Sequence, residues 1–98
     1  MTIDKKLEDG RLTLAVAGRL DTNTAPQLEA EVKLDGVTEV VFDLAGLEYV
    51  SSAGLRVFMA THKAMAACGG AMKVRAPNEM VRGVFQITGL DAVFTIEP

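Results

Sequence analysis

The fold is decided by the stretch Asp43-Leu44-Ala45-Gly46-Leu47-Glu48-Tyr49-Val50-Ser51-Ser52-Ala53-Gly54-Leu55-Arg56. Before it, Val40-Val41-Phe42 forms a continuous apolar run, which is typical of a strand in the interior of a sheet. Near its end, side chains on one face begin to recur at helical spacing, and Gly69-Gly70 then suits the left-handed end of a helix. These side chains are Leu55, Phe58, Met59, His62, Met65 and Ala66. The stretch is therefore predicted to connect a central strand to the longest helix of an α/β sheet.

The N-terminal residues predict a β-hairpin. Two segments, Ile3–Leu7 and Arg11–Gly18, flank the pair Asp9-Gly10. Asp-Gly supplies the positive backbone angles that a type I′ turn requires. In the second segment, large apolar side chains alternate with smaller ones, which suits a strand with one well-buried face. The large ones are Leu12, Leu14 and Val16.

A capping box predicts a helix after the hairpin. Thr24 is followed three residues later by Gln27, with Pro26 in the first turn. The pair Asp35-Gly36 is predicted to end this helix. One face of the helix carries Ala25, Leu28 and Val32.

The C-terminal third predicts a strand, a helix and a short last strand. Met72 and Val74 mark the first strand, Asn78 caps a helix that Gly89 ends, and Val93–Ile96 forms the last strand. The inward side chains of this helix are Val81, Val84 and Phe85. The predicted order is β-β-α-β-α-β-α-β, in which strands separated by helices run parallel. We therefore predict one α/β domain over residues 1–98, with a mixed sheet and helices packed on it.

The composition limits the classes of partner and chemistry. The 98 residues carry a formal charge of -3, a pI near 5.0 and scattered Lys and Arg, so a nucleic-acid partner is not expected. Cys68 and His62 are the only residues of their types, which rules out an internal disulfide and a Cys/His metal cluster. We expect no metal and no cofactor, and Cys68 is predicted to be a small buried side chain, with an exposed thiol as the alternative.

No membrane-targeting segment is predicted. Residues Met1–Lys6 have no apolar stretch behind their charges, and no apolar run approaches the roughly 20 residues that span a bilayer. We therefore expect a soluble, cytoplasmic protein without membrane contact.

Ser52 lies where the long helix is predicted to begin, at the carboxyl end of a strand, which is where open α/β sheets meet ligands and partners. Unpaired backbone N–H groups at a helix start favour negative charge. On this local pattern alone, a structural N-cap is the favoured interpretation of Ser52. A nucleophilic role is not supported, because Val50 stands where a nucleophile elbow needs Gly and His62 belongs to the apolar face of the helix. No enzyme is predicted.

Several segments together resemble the anti-sigma factor antagonists, a family of STAS domains. Asp43-Leu44 followed by Ser52-Ala53-Gly54-Leu55 is similar to the family's strand end and helix start. Gly18-Arg19-Leu20-Asp21 and Thr88-Gly89-Leu90-Asp91 resemble two further family segments. The resemblance covers nearly the whole chain and implies a single STAS domain over residues 1–98.

This resemblance implies a partner-switching function. Family members bind, while unphosphorylated, an anti-sigma factor that is also a serine kinase, and phosphorylation of a loop serine breaks the complex. Ser52 matches the phosphoacceptor and Asp21 matches the acidic residue near it, whereas Ser51 stands where many members carry Asp and is a second candidate acceptor. The implied partner-binding residues are Asp21, Thr22, Ser51, Ser52, Ala53, Gly54 and Arg56.

Alternatives stay open at this stage. On its own pattern Asp21 is favoured as a turn or cap residue, and Arg56 is either simply exposed or contacts an acidic partner or a phosphate. The resemblance also admits a serine phosphatase as a further partner. A different function for such a domain is that of a non-catalytic subunit in another complex, such as a lipid-transport ATPase, and neighbouring genes would separate the two functions.

Overall fold

Six strands and three α-helices alternate along the chain in the computed structural model, which describes residues 1–98. The strands are β1 (Thr2–Glu8), β2 (Arg11–Leu20), β3 (Glu39–Asp43), β4 (Leu47–Val50), β5 (Ala71–Arg75) and β6 (Thr95–Glu97). The helices are α1 (Ala25–Glu31), α2 (Ser52–Ala67) and α3 (Glu79–Thr88), and a short 3-10 turn at Leu90–Ala92 precedes β6.

All six strands belong to one mixed sheet. The strand order is β1-β2-β3-β5-β6, and β4 pairs with β2 beyond the segment of β2 that contacts β3. β1 runs antiparallel to β2, whereas every other pairing is parallel. The predicted α/β fold, with its N-terminal hairpin and β-α-β units, is confirmed.

The hairpin turn has the backbone that its sequence predicts. Asp9 and Gly10 both have positive φ, at 51° and 80°, as a type I′ turn requires. A Cβ atom at Gly10 would also lie 2.9 Å from the Thr38 hydroxyl oxygen. Glycine is therefore needed at this turn for both its angle and its size.

One face of the sheet packs against the helices. Alternate residues of β2, β3 and β5 are at most 5% exposed there, namely Leu12, Leu14, Val16, Val40, Phe42, Met72 and Val74. The ring of Phe58 in α2 lies 4.8 Å from that of Phe42 and 6.3 Å from that of Phe85 in α3, and α1 lies beside α2. The opposite face carries the buried Val41 and surface ion pairs such as Arg11 with Glu39. The molecule therefore has two layers, with the apolar core between sheet and helices.

The sequence pattern does not predict β4, because it indicates a loop over residues 43–51. The four residues Leu47–Val50 pair with the end of β2, after a shift in register between Gly18 and Arg19. So short a strand has too few residues to show a period of two. As a consequence, α2 follows β4 and not the central strand β3.

Helix α1 begins after Thr24, as predicted, but it lacks the predicted side-chain cap and ends earlier. It ends at Glu31, and Asp35-Gly36 forms a separate turn. The predicted capping box is wrong, because Thr24 makes no side-chain cap and its Oγ1 accepts a hydrogen bond from the Asp21 N–H at 2.9 Å. The preceding loop thus engages the hydroxyl that was expected to cap the helix.

Helix α2 occupies the predicted segment, but its buried face is rotated. Phe58 and Met65 are buried as expected, whereas Leu55, Met59 and His62 are half-buried and Ala66 is exposed. Thr61 is also buried, and its hydroxyl donates a hydrogen bond to the Val57 carbonyl oxygen at 2.8 Å, which satisfies the polar group. Because threonine is polar, a search for apolar side chains does not mark it as core. Cys68, which was expected to be buried, is exposed at the end of the helix.

Helix α3 agrees with its prediction at both ends. The Asn78 side chain accepts a hydrogen bond from the Val81 N–H at 2.8 Å, and Gly89 has a φ of 77°. The last strand begins at Thr95 and not at Val93, because the 3-10 turn ends just before Val93.

Candidate functional site

The ends of two parallel strands bring the predicted site residues together. Leu20 of β2 is paired with Val50 of β4, and the Ser51 N–H donates to the Leu20 carbonyl oxygen at 2.9 Å. The segments that follow these two strands therefore start side by side. One contains Asp21 and the other Ser52, so the structure places both at the same edge of the sheet.

The two serines have different environments. Ser51 is the N-cap of α2, with an extended backbone, and its carbonyl oxygen accepts from the Leu55 N–H at 3.0 Å. Its hydroxyl makes no capping bond and is buried without a partner. Ser52 is the first helical residue and is exposed. The interpretation of Ser52 as an N-cap is therefore wrong, since Ser51 holds that position and Ser52 is an exposed residue of the first helical turn.

Asp21 organises the loop between β2 and α1. Its Oδ1 accepts from the N–H groups of Asn23 and Thr24 at 3.0 and 3.1 Å, and the Thr24 hydroxyl lies 3.2 Å away. Partial burial on its own would raise the pKa of Asp21, but these hydrogen bonds and the positive charge of Arg19 hold that pKa below its ordinary value. Asp21 is therefore both a turn residue and a fixed negative charge at this edge.

Arg19 and Tyr49 form a contact that the sequence pattern does not indicate. They are paired across β2 and β4, and the Arg19 guanidinium carbon lies 4.2 Å from the centre of the Tyr49 ring. This is the geometry of a cation–π interaction. Because β4 is not predicted, no signal in the sequence places these two side chains together.

Gly54 allows α2 to begin close to the sheet. A Cβ atom there would lie 2.6 Å from Leu20 Cγ and 2.9 Å from Val50 Cγ2. Of the residues that the family resemblance implies for partner binding, Gly54 is therefore buried support. The exposed members are Thr22, Ser52 and Arg56, and the half-buried members are Asp21, Ser51 and Ala53.

The family of the chain follows from comparison with known proteins. A family model of the STAS domain matches residues 2–98. The chain belongs to the STAS family. This STAS domain is 36% identical over 99 residues to a Bordetella bronchiseptica protein named as the anti-sigma factor antagonist BtrV, covering 98% of this chain and 84% of that protein.

Solved structures show the same fold. A crystal structure of an anti-sigma factor antagonist from Mycobacterium paratuberculosis superposes with a TM-score of 0.86 and 32% identity, over 99% of this STAS domain and 85% of that chain. The unphosphorylated form of the anti-sigma factor antagonist SpoIIAA superposes with a TM-score of 0.85 over 97% of this chain and 87% of that one. Its 20% identity supports the fold alone. The resemblance to anti-sigma factor antagonists that the sequence indicates is thus confirmed at the level of the family.

The site of this STAS domain is formed by the ends of β2 and β4, the loop that contains Asp21 and the first turn of α2. No group of three or more His, Cys, Asp or Glu side chains could hold a metal ion. None of the helices is long and apolar enough to cross a bilayer. Its geometry provides an exposed serine, a carboxyl group with a lowered pKa and an arginine without an ion pair around the first turn of α2.

Proposed function

We propose that this STAS domain is an anti-sigma factor antagonist that binds an anti-sigma factor kinase and releases it when Ser52 is phosphorylated. The partner contacts the switch surface, which we define as Asp21, Thr22, Ser51, Ser52, Ala53 and Arg56, and the buried Gly54 supports this surface from beneath. The observation that carries the proposal is the exposure of Ser52, the first residue of α2, beside the Asp21 loop. The relatives named as anti-sigma factor antagonists support the same role. The proposed exchange takes place in the cytoplasm, where transcription occurs, and a serine phosphatase resets it.

The environments of the two serines favour Ser52 as the acceptor. A kinase must bring the γ-phosphate of ATP in line with the hydroxyl oxygen, and Ser52 is an exposed residue. The hydroxyl of Ser51 is buried. Phosphorylation of Ser51 would first require its buried hydroxyl to become accessible to the kinase, whereas Ser52 already lies on the surface.

Charge explains why a phosphate at Ser52 would release a partner and leave the domain folded. A phosphoserine adds about -1.5 to -2 charges, which the N-terminus of a helix stabilises. In an interface the same charge must lose its water, and Asp21 already contributes a negative charge at this edge. The complex is therefore destabilised while the fold is retained.

The proposal is tested with the purified anti-sigma factor kinase from the same genome. Incubation with ATP followed by peptide mass mapping is expected to place the phosphate on Ser52. Ser52→Asp is expected to weaken binding by about tenfold or more in calorimetry, whereas Ser52→Ala retains the affinity of the wild type. Ser51→Ala serves as the matched control and should still be phosphorylated. Phosphate on Ser51 alone, or equal affinities for Ser52→Asp and Ser52→Ala, would refute the proposed switch.

A further inference from the structure

A groove runs between α1 and α2 and opens at the switch surface. Both helices begin where parallel strands end, so their first turns lie at the same edge of the sheet. The groove has a volume of about 540 Å³, and Thr22, Ala53 and Arg56 of the switch surface form part of its wall. It is therefore continuous with the surface proposed above for partner binding.

The interior of the groove is apolar and lined largely by small side chains. Ala25 of α1 and Ala53 and Ala60 of α2 line it, and their short side chains leave space between the helices. Val32 and Leu34 close its far end and are only half-buried. An apolar side chain of a partner would fill this space and cover apolar surface that water now contacts.

Two charged residues of opposite sign line the groove. Glu29 belongs to α1 and Arg56 to α2, and both are exposed. Neither takes part in any ion pair of the structure. A complementary occupant must therefore place an apolar side chain between an acidic group near Arg56 and a basic group near Glu29.

We infer that this groove receives a segment of the anti-sigma factor, which inserts an apolar side chain and pairs an acidic residue with Arg56. The inference rests on the proposed function and adds to it the place and the chemistry of the contact. Continuity with the switch surface selects this occupant, because a partner seated at Ser52 reaches the mouth of the groove without leaving the protein surface.

Arg56 connects the groove to the switch. Ser52 and Arg56 are four residues apart in α2, so their side chains lie on the same face of the helix. A phosphate on Ser52 then competes with the acidic residue of the partner for the guanidinium group of Arg56. One modification thus adds repulsion at the switch surface and removes the cation that the groove offers.

The test fills the groove without touching the acceptor. Ala60→Leu places a larger side chain in it, and Ala66→Leu makes the same change on an exposed alanine of α2 that does not line it. Calorimetry with the purified anti-sigma factor kinase is expected to show an affinity about tenfold or more lower for Ala60→Leu and no change for Ala66→Leu. Circular dichroism should report the same fold for both variants.

A second measurement needs no partner. Phosphoserine is incorporated at position 52, and phosphorus NMR measures the second pKa of its phosphate. Arg56→Gln is expected to raise this pKa because it removes a neighbouring positive charge, whereas Arg56→Lys should keep the pKa closer to that of the wild type. An unchanged phosphate pKa in Arg56→Gln would overturn the role of Arg56. If Ala60→Leu binds the kinase as tightly as the wild type, the partner does not occupy the groove and this inference is refuted. The proposed function would still stand in that case if Ser52→Asp loses binding. A wild-type protein that binds no anti-sigma factor would refute both.

Discussion

Replacing Gly54 by alanine tests whether the start of α2 must approach the sheet as closely as the structure shows. The added methyl carbon would lie 2.6 Å from Leu20 Cγ, 2.9 Å from Leu20 Cδ2 and 2.9 Å from Val50 Cγ2. Leu20 is fully buried and Val50 is 3% exposed, so neither can turn into open space. The helix or the two strand ends must therefore shift.

The expected cost follows from two opposing effects. Alanine improves the intrinsic helix propensity by about 1 kcal/mol relative to glycine. Overpacking of a close-packed site costs about 1–3 kcal/mol, and three overlapping contacts place Gly54→Ala toward the upper end. The net loss in the free energy of unfolding is then about 1–2 kcal/mol, or roughly 4–16 °C in Tm for a domain of this size.

A matched control is available in α3. A Cβ atom at Gly83 would meet nothing within 4 Å, and this residue is also helical. Gly83→Ala should therefore stabilise the protein by about 0.5–1 kcal/mol. Urea unfolding followed by circular dichroism measures both variants. If Gly54→Ala is as stable as the wild type or gains stability as Gly83→Ala does, the close packing at the start of α2 is refuted.

Two further predictions concern the Asn78 cap and the Asp21 loop. Asn78→Ala removes the bond to the Val81 N–H and the bond from Nδ2 to the Leu47 carbonyl oxygen at 3.0 Å, so urea unfolding should show a loss of about 1–2 kcal/mol. Asn78→Asp keeps only the acceptor and should lose less; equal losses would contradict the capping role. The pKa of Asp21 is lower in the folded protein than in the unfolded chain, where it is about 3.9. Ionised Asp21 therefore stabilises the fold at pH values above about 3.9, and this stabilisation is lost as the pH falls through the folded-state pKa. The difference in stability between wild type and Asp21→Asn should thus shrink below about pH 4, and a constant difference in pH-dependent unfolding experiments would argue against the loop network.

Predictions from the sequence succeed where a few neighbouring residues determine the backbone. Asp9-Gly10 specifies its turn through positive φ, and Asn78 and Gly89 specify the ends of α3 through a side-chain acceptor and a left-handed residue. They fail at α1, where the Thr24 hydroxyl has two local choices and bonds to the Asp21 N–H instead of capping the helix. The sequence pattern cannot rank such competing hydrogen bonds, because their energies are similar.

The candidate site likewise combines features that neighbouring residues determine with features that arise only from tertiary contacts. The sequence alone determined the α/β class with its mixed sheet, the hairpin, the long helix and the presence of serines at its start, because periodicity and turn residues act over short distances along the chain. Only the tertiary structure decided that β4 exists, since Leu47–Val50 becomes a strand by pairing with the end of β2. That pairing makes Ser51 the N-cap residue with its hydroxyl buried, leaves Ser52 exposed and brings Asp21 to the same edge. It also starts α2 beside α1, so that the groove forms. These features depend on contacts between residues far apart in the chain, and no local pattern encodes them.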